Sequence, residues 1–219
     1  MLERVPVRIL ASRVIASVDP MLAERFGLKD GHSSLALLTT DCDDVGYVAV
    51  DEATKKADVE VVYAASFYAG ASHASGPYSG EFIGMLAGSG PADVIAGLNA
   101  ACGHATHDAA FERAPANREL TFFAHLVSSC GTYLAAQAQV SVGTALAYLI
   151  APPLEATFGL DAALKAADVR LVKHFPPPSE TNFSGGWLAG SQAACQAACD
   201  AFRKAIMGVA ERPLEHEHF

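Results

Sequence analysis

The chain has 219 residues, 51% of them hydrophobic and 18% charged, with a formal net charge of −9. That balance excludes the basic face a nucleic-acid binder needs and suits attraction of small cations. No run of about 20 apolar residues offers a membrane span, and Glu3 and Arg8 interrupt the N-terminal MLERVPVRIL, so no signal peptide is read there. So high an apolar share points to extra surface buried between subunits. The five cysteines (Cys42, Cys102, Cys130, Cys195, Cys199) are odd in number and unevenly spaced, which reads as reduced thiols of a cytosolic protein.

In chain order, residues 9–18 predict a strand, and Pro20 opens a short helix that Gly27 stops. Residues 33–40 and 45–50 predict strands around an acidic turn, Asp41-Cys42-Asp43-Asp44. Asp51 is placed to cap a helix over 52–57, because a carboxylate there accepts free amide hydrogens. Residues 58–64 alternate as a strand. The loop 68–79, YAGASHASGPYS, is too small and polar for a core. A strand follows over 80–88, and Pro91 starts a helix to about His104.

A second unit repeats the order after a linker at 108–119. Its strands are predicted at 121–129, 144–151, 168–174 and 186–190. Its helices are predicted near 132–138, from Pro152-Pro153 to Ala167, and over 191–209, and the final PLEHEHF is set aside as a tail. YVAVDEATKKADVEVV (47–62) matches TFGLDAALKAADVRLV (157–172), with Asp51 answering to Asp161 and every pair 110 residues apart. Gly84, Leu86, Ala87 and Gly88 answer to Gly186, Leu188, Ala189 and Gly190 at an offset of 102. The two copies share a scaffold and differ by 8 residues in the loop after the Asp-Val strand. A fixed offset across half the chain marks two copies of one unit. The domains are therefore read as 1–107 and 120–211, with a tail at 212–219.

Other chemistry-bearing residues take plainer readings. His104 and His107 have helical spacing for a metal but no third ligand near in sequence. Cys195 and Cys199 read as buried packing residues, and no metal, cofactor or catalytic triad is assigned. Gly88-Ser89-Gly90 lacks the run of a phosphate loop and reads as a strand-to-helix turn.

The segment ALAYLIAPPLEATFGLDAALKAADVRLV, continuing to the Cys195 helix, resembles the shell-protein domain of bacterial microcompartments. Each unit here begins one strand and one helix early, as in the circularly permuted, tandem, trimer-forming class. Within that class DCDDVGYVAVDEATKKADVEVVY, PPPSETNF and GSQAACQAACDAF are similar to the ethanolamine-utilisation members. The resemblance implies an α+β fold of two tandem ferredoxin-like shell domains. It implies a non-enzymatic homotrimer that tiles edge to edge with other shell proteins in the shell of a cytoplasmic organelle, with no nucleic acid or membrane partner. It implies a central pore that opens and closes, and small pores that take ethanolamine. By matching motifs, the small-pore contacts are Asp44 in DCDDV, Glu81 in SGEF, Phe111 in the linker, and Thr181, Asn182 and Phe183 in SETNF. The central pore is assigned to two unequal loops carrying Tyr68, His73 and Tyr78, and Pro176, Pro177 and Pro178. The Gly/Ser/Ala-rich first loop is expected to move and the proline-rich second to frame it.

The chemistry of those positions is consistent with a cationic amino alcohol. One ammonium–carboxylate pair at about 4 Å and an effective dielectric of about 20 is worth roughly 4 kcal/mol. Desolvating both ions offsets much of it, and weak binding suits a pore. Competing readings stay open from sequence: turn chemistry for Asp44 and Asn182, a surface ion pair for Glu81, core packing for Phe111. Two other functions also remain: a tandem shell protein of a propanediol or ethanol microcompartment, and a small-molecule-binding regulator.

Overall fold

The computed structural model describes residues 2–67, 80–177 and 183–214. The first elements are β1 (Glu3–Val5), β2 (Ile9–Ile15), α1 (Pro20–Arg25), β3 (Ser34–Thr40), α2 (Asp43–Lys56), β4 (Glu60–Phe67), β5 (Glu81–Gly88) and α3 (Pro91–His107). They are followed by β6 (Phe111–Arg113), β7 (Thr121–Val127), α4 (Thr132–Ala138), β8 (Ala145–Ala151), α5 (Pro153–Ala166), β9 (Val169–Phe175), β10 (Ser184–Gly190) and α6 (Gln192–Glu211). Among the described residues all strand pairing is antiparallel. One sheet runs β2-β3-β5-β4, the other β1-β6-β7-β8-β10-β9. The order β7-β8-β10-β9 repeats β2-β3-β5-β4, so the internal repeat is one of topology as well as sequence.

Two compact units emerge. One comprises residues 6–110 and 130–143; the other comprises 1–5, 111–129 and 144–219. A single cut through the linker does not separate them. The expected linker itself contains β6, which pairs Glu3 with Arg113 and Val5 with Phe111. Arg113 and Arg118 both reach the Glu3 carboxylate, at 3.3 and 2.6 Å, tying the N-terminal strand to the second repeat.

The expected strand over 45–50 is helix. Valine-rich VGYVAV suggests a strand, but Val45, Val48, Ala49 and Ala53 recur at helical spacing and are all buried. Asp43 and Asp44 occupy the first turn, where a helix favours negative charge, and Lys55 and Lys56 occupy the last. Gly46 is needed where α2 crosses β5, because a Cβ there would strike the Phe82 ring.

Asp51 does cap a helix, but not its own. Its carboxylate accepts the Gly131 amide at 2.7 Å and the Leu134 amide at 2.8 Å, at the start of α4. Thr54 Oγ1 accepts the Thr132 amide at 3.1 Å. A Cβ at Gly131 would collide with Thr54 and the Asp51 carbonyl, so only glycine lets α4 come this close. Asp51 is 0% exposed. Burial raises its carboxyl, and the two amides and Lys55 offset only part of that.

In the other unit α5 and α6 pack Ala156, Leu160, Ala163, Cys195, Ala198, Cys199 and Phe202 over Ala147, Leu149 and Leu188 of the sheet. All five cysteines are unbridged. Burial pushes the Cys199 thiol up to about 12, which leaves it protonated and inert. Among the described residues no helix is long and apolar enough to cross a membrane.

Replacing Asp51 tests the tertiary cap. Asp51→Ala strands two buried amide donors and is expected to cost about 2–5 kcal/mol in chemical denaturation. Asp51→Asn retains one acceptor but turns an amide donor toward the second N–H, and falls between the two. A loss below about 1 kcal/mol for Asp51→Ala would show that α4 holds its position without this carboxylate.

Candidate functional site

Asp44 lies with Asp43 in the first turn of α2. Cys42 is the N-cap, and Thr40 donates its hydroxyl to the Cys42 carbonyl at 2.7 Å. Asp43 accepts the Asp44 amide at 2.8 Å with one oxygen and the Ser66 hydroxyl at 2.6 Å with the other. The Tyr47 and Ser66 hydroxyls lie 2.9 Å apart. Tyr47 packs edge-on to Phe82 and stacks on Tyr133, with ring centroids at 4.9 and 6.3 Å. Burial raises the Tyr47 phenol, so it stays neutral and available as a donor.

Glu81 opens β5 opposite Phe67, one register step from the Phe82–Ser66 pair. Ser66 in turn holds Asp43. Asp43, Asp44 and Glu81 are all buried, Glu81 to 3% exposure. One Glu81 carboxylate oxygen is buried and has no hydrogen-bond partner among the described residues. A surface ion pair is therefore not its role. A buried polar atom left without a partner is costly and calls for an explanation such as a bound ligand.

The sequence picked out Asp44 and Glu81 but missed Asp43, Ser66, Tyr47 and Phe82. Paired aspartates ahead of an apolar helical stripe are a first-turn signal. Reading 45–50 as a strand hid it.

Phe111 and Phe183 come together in the other unit, edge to face at 6.0 Å. Phe111 is buried and also stacks on Phe123 at 5.2 Å. Core packing, the competing sequence reading, accounts for these contacts. The aromatic cluster continues through Tyr148, Trp187 and Phe175, with the Lys173 ammonium 4.9 Å from the Trp187 ring centroid. Pro176 and Pro177 are exposed just after β9. Tyr68, His73, Tyr78, Pro178, Thr181 and Asn182 lie outside the described residues.

His104 and His107 do not converge on a metal-like group. His104 Nδ1 is 3.4 Å from Asp108, and His107 Nδ1 lies 3.0 Å from the Gly103 carbonyl. Among the described residues no three His, Cys, Asp or Glu side chains could hold an ion together.

Asp43→Ala removes the Ser66 acceptor and a first-turn charge. It is expected to lower stability by about 1–3 kcal/mol, read as a shifted denaturation midpoint. An unshifted midpoint would mean Asp43 does not hold α2 to β4.

The family model for the BMC domain matches residues 34–112. The chain is 52% identical over 206 residues to the bacterial microcompartment shell protein EutL of Clostridium perfringens, covering 94% of this chain and 95% of that protein. It is 50% identical to EutL of Escherichia coli, with 98% of each covered. The crystal structure of ethanolamine utilization protein EutL from Leptotrichia buccalis superposes with a TM-score of 0.92 at 52% identity, covering 98% of this chain and 99% of that one.

Proposed function

Because the chain belongs to the EutL family of bacterial microcompartment shell proteins, we propose that it forms homotrimeric tiles whose small pores take up ethanolamine at Asp44 and Glu81. The chain is a shell protein of the ethanolamine-utilisation microcompartment and not an enzyme. Shell proteins of this family assemble with one another, so its place is in the shell. Identity of about half over nearly the whole chain carries this reading.

The observation that supports the ligand is the Glu81 oxygen, buried and without a partner among the described residues. A primary ammonium carries three donors, and it is the chemistry that stabilises such an acceptor. Asp44 adds a second buried carboxylate in the same unit. Phe111, Phe183, Thr181 and Asn182 are proposed as further contacts on resemblance alone. The same holds for Tyr68, His73, Tyr78 and Pro176 to Pro178 as central-pore residues, with the first loop moving and the second framing it.

Soaking crystals with ethanolamine and titrating it in solution tests the ligand. Density against Glu81 is expected, and Glu81→Gln and Asp44→Asn should each weaken binding at least about tenfold, or about 1.4 kcal/mol. Unchanged affinity in Glu81→Gln would remove Glu81 from the site. Density for a diol but not for ethanolamine would assign the pore to a different metabolite. Phe111→Leu in the same titration tests the aromatic contacts separately.

A further inference from the structure

The two sheets share a register but differ in one cross-strand row. In β2-β3-β5-β4 that row is Arg13, Leu37, Met85 and Tyr63. In β7-β8-β10-β9 it is His125, Tyr148, Trp187 and Lys173. Met85 answers to Trp187 at the offset of 102, and Tyr63 to Lys173 at the offset of 110. Side chains alternate between the two faces of a strand. Ala147, Leu149 and Leu188 pack with α5 and α6, so Tyr148 and Trp187 lie on the opposite face. Where one copy has a leucine and a methionine at the centre of the row, the other has a phenol and an indole.

The fold does not need an indole here, since Met85 fills the same place in the other copy at 8% exposure. Trp187 is 3% exposed, and its Nε1 is buried with no hydrogen-bond partner among the described residues. An indole nitrogen only donates, and a buried donor left unused is costly, so it calls for an acceptor. Lys173 Nζ lies 4.9 Å from the Trp187 ring centroid and 5.7 Å from that of Phe175. Tyr148 and Phe175 stand edge-on to the indole at 5.1 and 5.4 Å. The row therefore combines one ammonium and one neutral donor with aromatic walls.

The strands set the sign of the ligand. β7, β8, β9 and β10 contain no aspartate or glutamate, and carry His125, Arg170, Lys173 and His174. In the other sheet β4 and β5 each open on a glutamate, Glu60 and Glu81. The repeat is thus acidic in one copy and basic in the other. A dianion beside Lys173 would leave charge uncompensated among aromatic rings, where desolvation is costly. A monocarboxylate matches the ammonium, offers an acceptor to the indole and brings an apolar end for the rings.

We propose that this row is a second ligand site, one that takes a small monocarboxylate. One carboxylate oxygen accepts the Trp187 N–H, the charge faces Lys173, and the apolar end lies against Tyr148 and Phe175. The site does not rest on the ethanolamine reading: it lies in the other copy of the repeat and takes the opposite charge.

Trp187 is the only tryptophan in the chain, so its fluorescence reports on this place alone. The full-length protein is titrated with sodium acetate, and in parallel with sodium chloride and ethanolamine hydrochloride, at constant ionic strength. A saturable change in emission is expected with acetate and with neither of the others. Lys173→Met should weaken the acetate response at least about tenfold with an unchanged circular dichroism spectrum, and Lys173→Arg should restore it. Saturation transfer to the acetate methyl, read by NMR, should fall in Trp187→Phe, which keeps the ring and loses the N–H. A response linear in acetate, or equal with chloride, means an adventitious ion only and overturns the proposal. A response to ethanolamine alone assigns the row to a cation and overturns it too, as does a folded Lys173→Met variant with the parental curve. The parental titrations decide even where a variant does not fold.

Discussion

The buried carboxylate of Asp51 is the constraint on which the unit of residues 6–110 and 130–143 depends. It lies on α2 yet satisfies amides at the start of α4, 80 residues further on. A carboxyl group at 0% exposure persists only if hydrogen bonds replace its water. Here the first-turn amides of a short helix supply them, and that helix has no side-chain cap of its own. Each side removes the other's penalty. The result is that residues 130–143 belong with the first repeat, although the strands on either side of them, β7 and β8, belong with the second.

The candidate ligand site depends on the same helix. Once α2 is fixed against β5 by Phe82 and against α4 by Asp51, its N-terminus holds Asp43 and Asp44 beside β4. Asp43 is consumed by Ser66 and by the backbone. Glu81, on the adjoining strand, keeps a buried oxygen without a partner among the described residues. Asp43 is tied into the fold, and one oxygen of Glu81 is left for something other than it.

Much of this was legible in the sequence because the repeat is strong. The matched DEATKKADV and DAALKAADV segments make α5 the counterpart of α2, and the bounds read for the helix over 132–138 agree with α4. What failed was local. VGYVAV has strand composition, and only its burial pattern within the helix reveals the period. Asp51 was assigned the right chemistry and the wrong helix, because a cap across 80 residues leaves no trace in spacing. The three-residue strands β1 and β6 were likewise invisible; their pairing rests on Glu3 meeting two distant arginines. Of the acids at these positions, Asp44 and Glu81 stand out in the sequence by motif, and reading 45–50 as a strand hides Asp43.

In the proposed assembly the duplicated scaffold is a tile: two similar units per chain, three chains per disc, discs packed edge to edge. Electron microscopy of the purified, concentrated protein tests that most directly. Flat layers of particles, each with the mass of three chains, are the predicted result. Isolated single chains at every concentration would contradict it.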